Sequence, residues 1–197
     1  MSRKVKFVSK EDEAKKMKRR KWISAFVVVA VLLTVAVLAN MAMIFFFSSE
    51  SREESGDRSA DFLTRLLDIF YPGYDEMGTV KRYVILNKAH KLIRKVAHFT
   101  EFCLLGFLST GLLLFLNHRK RVLKIWLEWC IPVVFCLFYA ISDEVHQIFT
   151  NRGASVRDVL IDFAGALTGI VIMQGIVGLT RIVKRRRERS CKTPATV

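Results

Sequence analysis

The chain has 197 residues, of which 52% are hydrophobic and 25% charged, and it carries a formal charge of +14. That mixture requires apolar and charged residues to be segregated into blocks, which excludes an ordinary water-soluble globule with a mixed surface. The basic excess lies beside the apolar blocks, where membrane topology and anionic lipid head groups account for it, so membrane lipids are the expected partners and nucleic acid is not.

Residues 1–22 form a basic tail. Residues 23–47, "ISAFVVVAVLLTVAVLANMAMIFFF", then run for 25 positions without a charged side chain, against the ~20 that a helix needs to cross a ~30 Å hydrocarbon layer. They read as transmembrane helix 1. A secretory signal is the alternative, because ten Lys or Arg come first. However, the apolar core is about twice the usual 7–15 residues and no A-x-A site follows.

Residues 48–91 form a polar, extracytoplasmic loop. Within it Phe62, Leu63, Leu66, Leu67 and Phe70 recur at helical spacing until Tyr71, Pro72 and Gly73 stop the pattern. The spacing predicts a short amphipathic helix, lying on the bilayer surface or covering the ends of the spans.

Residues 92–183 hold three further spans. The second runs from Leu92 to Leu116 and is followed by the basic turn "NHRKR". The third runs from Ile125 to Phe149, with Trp126 and Trp129 suited to an interfacial belt. Glu128 lies at that same level and is expected to be solvated or snorkelling; Pro132 falls inside the span, where neighbouring helices can tolerate it. The fourth runs from Val156 to Val183, ahead of the basic tail 184–197. The fold class is therefore all-α, a polytopic membrane bundle of four helices. Cys103, Cys130, Cys136 and Cys191 show no CxxC spacing, and the first three lie in apolar stretches, so no disulfide framework is implied.

Four spans put both termini on one side of the membrane. Ten Lys or Arg precede the first span, four lie between residues 119 and 124, and seven follow residue 180. Nine lie between residues 48 and 95, where eight acids offset them, and two between 142 and 157. The positive-inside rule makes the termini cytoplasmic, so the start of span two and the turn after span three face outward.

Those outward ends carry the unusual residues. In "RKVAHFTEFCLLGF", Arg94, His98 and Glu101 follow i, i+4, i+7 spacing and share one helical face over ~10 Å of axis. In "SDEVHQIF", Asp143, His146 and Gln147 share a face, and Glu144 points about a quarter-turn away. In "RGASVRDVLIDFAGALTG", Asp158 and Asp162 share a face with Gly165 and Gly169, a small-xxx-small patch that lets another helix approach. Ionisable groups at such depth cost a few kcal/mol and turn inward to find partners, so three spans are expected to line one outer-leaflet cavity.

The three blocks resemble the signature segments of the VanZ-like membrane proteins, a family named after a protein associated with teicoplanin resistance. The resemblance covers roughly residues 40–180. It implies a multi-pass protein of the bacterial cell membrane, acting in envelope physiology and glycopeptide tolerance. It also places Arg94, Lys95, His98, Glu101, Asp143, Glu144, His146, Gln147, Arg152, Arg157, Asp158 and Asp162 at the family's motif positions. Many relatives have Pro-Gly before the outer-loop arginine; "FTNRGAS" lacks both, which leaves the aim of Arg152 open. The resemblance brings no reaction, ligand or cofactor.

Three readings stay open at this level. The first is a structural ion-pair network, with Arg94 and Arg157 set against Glu101, Asp143, Asp158 and Asp162. The second is an outward pocket in which Arg94, Arg152 and Arg157 clamp the anionic head group of a lipid-linked cell-wall precursor or a lipoglycopeptide. The third is an enzyme acting on a lipid-linked envelope precursor, in which His98 with Glu101 and Asp143 with His146 hold a metal. No HExxH motif or Gly-rich phosphate loop supports that last reading, and no resident cofactor is read from the sequence. Ser142 beside Asp143 lacks the elbow motif of a nucleophile, and the absence of a repeat counts against transport.

Overall fold

The computed structural model describes residues 10–49, 63, 69, 77–120, 122–149 and 155–190. The described residues contain four long helices: α1, Lys10–Ser49; α2, Thr79–Lys120; α3, Ile125–Phe149; and α4, Val156–Ser190. Each contains a stretch long and apolar enough to cross a membrane. In lipid every backbone N–H and C=O must be satisfied within the segment, which is why uninterrupted apolar stretches become helices. Side-chain hydroxyls follow the same rule: Thr34, Thr100 and Thr168 each donate to the carbonyl four residues back at 2.8 Å.

α1 and α2 have 40 and 42 residues, or roughly 60 Å each at 1.5 Å per residue, about twice the hydrocarbon thickness. Both therefore continue beyond the apolar layer. α2 begins at Thr79 rather than at Leu92, because "KRYVILNKAHK" extends the helix while contributing too many charges to look like part of a span. Pro132 lies within α3 without ending it. Of the amphipathic segment expected around Phe62 to Phe70, only Leu63 and Ile69 belong to the described residues; both are helical, Leu63 is buried and Ile69 is exposed.

Helices consecutive in the chain alternate in direction. The Phe26 ring near the start of α1 stacks on Phe115 near the end of α2 at 4.8 Å. Tyr139 of α3 donates to the Met41 carbonyl of α1 at 2.6 Å, and Gln174 of α4 donates to the Glu128 carbonyl of α3 at 2.9 Å. Consequently the start of α1 and the end of α4 lie at one end of the bundle, hereafter the tail end. The core contains Val37, Ile44, Phe102, Leu105, Cys136, Ala140, Ala166 and Ile170.

α2 and α4 run parallel and touch through glycine. A Cβ on Gly165 would strike the Phe99 carbonyl, and one on Gly169 would strike the Cys103 carbonyl. The small-residue patch thus faces α2, the helix that carries Arg94, His98 and Glu101. Close backbone approach here sets how far apart the polar rows of the two helices stand.

At the tail end Glu128 departs from expectation. It is 6% exposed, accepting a bond from Asn117 Nδ2 at 2.7 Å and pairing with Arg181 at 3.4 Å. Asn117 also closes the α2–α3 turn by accepting from the Leu123 amide at 3.0 Å. The expected snorkelling Glu128 is instead a hub joining three helices. Its neighbours Trp126 and Trp129 are exposed on the outside of the bundle.

Candidate functional site

Opposite the tails, α2 encloses with the end of α3 and the start of α4 a polar cavity lined by Arg94, Lys95, His98, Glu144, Gln147, Asp158, Ile161 and Asp162. The helical period explains each contribution. Arg94 and His98 are one turn apart on α2, and Asp158 and Asp162 are one turn apart on α4, so each pair projects from one face. Asp143, one residue before Glu144 on α3, does not line the cavity itself; it is 5% exposed and accepts a bond from Nε2 of the cavity residue Gln147 at 2.9 Å.

Glu144 is drawn inward rather than turned aside. It is 4% exposed, and its Oε2 accepts the Ser155 amide at 2.8 Å. The quarter-turn separation from Asp143 does not expose it, because α3 packs against α1, α2 and α4 together and so buries a wide sector. The bond from Ser155 ties the first residue before α4 to α3, fixing the entry of α4 into the bundle.

Glu101 lies one turn deeper on α2 than His98. Its Oε2 is enclosed without a hydrogen-bond partner, and the group is within electrostatic reach of Asp143. Asp162 is 2% exposed and within reach of Asp143, Glu144, Asp158 and Glu101. Five carboxylates thus share one small region of the bundle.

The cations are fewer and stand further out. Lys95 pairs with Asp158 at 3.2 Å, and the Arg94 charge acts on Glu144. Among the described residues, no ion pair within 4.0 Å joins Arg94 or Arg157 to the acids proposed for them. Arg157 is exposed and does not line the cavity. It precedes Asp158 by one residue, about 100° away from the row formed by Asp158 and Asp162. Lys95, not Arg157, makes the bridge between α2 and α4.

His146 also leaves the expected set. It shares a 2.9 Å hydrogen bond with Ser49 Oγ and stacks on Phe45 at 4.3 Å, which fastens α3 to the end of α1. Sequence spacing places His146 on the Asp143 face but contains nothing that locates α1. Arg152 lies outside the described residues. The participants that spacing did not single out are Ile161, an apolar wall of the cavity, and Ser49, an ordinary hydroxyl at the end of a span.

His98, Asp143 and Asp162, one from each of three helices, bring ligand-type atoms within 4.8 Å of one another. The histidine–carboxylate pairs expected within single helices, His98 with Glu101 and Asp143 with His146, do not form this group. The cavity has a volume of about 20 Å³, room for about one water or ion.

Comparison with known proteins matches residues 26–178 to the family model described as VanZ/LLP1. No curated protein and no solved structure matches. The matched range runs from the first span to the middle of α4 and contains every residue of the cavity.

Proposed function

Because the chain belongs to the VanZ/LLP1 family, we propose that it is an envelope protein of a bacterial cell membrane, with cytoplasmic tails and the polar cavity facing outward. There it engages the phosphate-bearing head group of a lipid or lipid-linked wall precursor and so sets tolerance to teicoplanin-type lipoglycopeptides. The observation that carries this reading is the placement of Arg94 and Lys95 on the cavity wall, beside Glu144 and Asp162, which are buried at the end of α3 and the start of α4. Ionisable groups within spans are costly and mark ligand or ion paths. Guanidinium and ammonium groups are the side chains that hold phosphate. The cavity itself is too small for a head group, so the phosphate sits over it, against Arg94 and Lys95.

The purely structural alternative is less well supported, since among the described residues no ion pair within 4.0 Å joins Arg94 or Arg157 to the acids expected for them, and Glu101 and Glu144 each keep an enclosed oxygen without a partner. A strain deleted for the gene and complemented with wild-type or Arg94→Ala protein tests the reading. Deletion and Arg94→Ala are expected to lower tolerance to teicoplanin while leaving tolerance to vancomycin, which lacks the lipid tail, unchanged. Full teicoplanin tolerance in a normally inserted Arg94→Ala variant counts against it.

Orientation has its own test. A thiol introduced as Ser155→Cys in a chain otherwise freed of cysteine is expected to react with a membrane-impermeant maleimide added to intact cells. Labelling only after the inner face is opened would invert the topology and remove the outward cavity.

A further inference from the structure

Building on that reading, we infer that His98, Asp143 and Asp162 bind one divalent transition-metal cation, zinc or manganese, which then presents an open coordination position to the phosphate held by Arg94 and Lys95. Several independent features of the molecule converge on this.

The geometry comes first. Ligand atoms sharing one cation at ~2.1 Å stand roughly 3 to 4 Å apart. One atom from each of the three residues already lies within 4.8 Å of the others, a difference that small side-chain rotations cover. The residues belong to α2, α3 and α4, so the trio is assembled by the bundle and not by the local period of one helix. Asp143 and Asp162 are 5% and 2% exposed, and a cavity of about 20 Å³ beside them admits an ion with at most a water.

Charge comes second. Asp162 is within reach of Asp143, Glu144, Asp158 and Glu101, while the facing cations are Arg94 and Lys95, of which Lys95 is engaged by Asp158. Arg157 is exposed and contributes nothing inside. Buried carboxylates in such excess need a positive partner.

Unmet bonding comes third. Glu144, 4% exposed and part of the cavity wall, has its Oε1 enclosed without a partner, and Glu101 has its Oε2 in the same condition. Both suit water or outer-shell contacts around a bound ion. The imidazole suits zinc and the two carboxylates suit manganese, whereas calcium and magnesium prefer oxygen ligands alone. A metal also reconciles an acid-lined cavity with an anionic ligand, since it reverses the local charge.

The full chain, purified in detergent and stripped with chelator, is titrated with Zn²⁺, Mn²⁺ and Mg²⁺ and then analysed for bound metal. One Zn²⁺ or Mn²⁺ per chain is expected, with Mg²⁺ in excess failing to displace it. His98→Ala and Asp162→Asn are each expected to weaken binding at least ~100-fold, the upper end of what losing an outer-shell partner costs. Arg157→Ala should bind as wild type does. Substoichiometric metal in the wild type, or unchanged affinity in His98→Ala, overturns the inference. If the variants do not fold, thermal protection of the wild type decides: a bound ion raises its unfolding temperature with concentration, and no rise overturns the site. Metal bound stoichiometrically without any teicoplanin phenotype would sink the head-group reading alone. Tolerance dependent on Arg94 in a chain that binds no metal would sink this inference alone.

Discussion

Gly169→Leu will dismantle the cavity without touching any group that lines it. A Cβ at this position already meets the Cys103 carbonyl, and lies 2.7 Å from the Phe107 amide. Both are backbone atoms that cannot turn away, so α2 must move bodily from α4. Overpacking by extra methylenes costs about 1–3 kcal/mol when side chains can yield. Here they cannot, and the loss for leucine should exceed about 3 kcal/mol, with alanine inside that range. Denaturant unfolding of the detergent-solubilised chain, followed by circular dichroism, measures it. Gly175→Ala is the internal control: nothing lies within 4 Å of its added carbon, and alanine is the better helix former by up to ~1 kcal/mol. If Gly169→Leu unfolds at the wild-type midpoint, α2 and α4 do not meet as described. Metal binding should fail together with stability, because the same separation moves His98 away from Asp162.

Why was the patch legible while its consequences were not? Gly165 and Gly169 at i, i+4 announce a close approach, but spacing within α4 says nothing of which helix approaches. The same boundary runs through the whole site. Rows within one helix, such as Arg94 with His98 or Asp158 with Asp162, follow from 3.6 residues per turn and are lined up in the cavity. Pairs between helices depend on rotation and depth, which the bundle decides. Hence Lys95 rather than Arg157 meets Asp158, His146 meets Ser49 of α1, and His98 joins Asp143 and Asp162 instead of Glu101. Glu128 shows the limit most clearly. Its partner Arg181 is 53 residues away, near the end of the fourth span, so nothing local marks the glutamate as buried. The four spans were legible because lipid imposes a length and an apolarity on any helix that crosses it. The early start of α2 was not, because beyond the hydrocarbon layer that constraint disappears and a charged helix looks like a loop.

Asp162→Asn separates a site from a scaffold by the sign of its effect on stability. If Asp162 served an ion-pair network, removing its charge would leave a buried partner uncompensated and cost about 3–5 kcal/mol. No cation lies within 4.0 Å of it among the described residues; its near neighbours in charge are Asp143, Glu144, Asp158 and Glu101. Asparagine keeps the shape and removes one of five crowded negative charges. In the metal-free chain, with chelator present, Asp162→Asn should therefore be at least as stable as wild type, and more stable by about 1 kcal/mol or more, as when buried charges give way to neutral groups of similar volume. With Zn²⁺ added the order should reverse, since only the wild type gains the free energy of binding, about 2.7 kcal/mol at a hundredfold excess over Kd. Unfolding curves of both proteins, with and without metal, give the four midpoints required. A clear loss of stability under chelator would return Asp162 to the scaffold. A gain there, combined with loss of metal protection, identifies a residue retained at the expense of stability for what it binds.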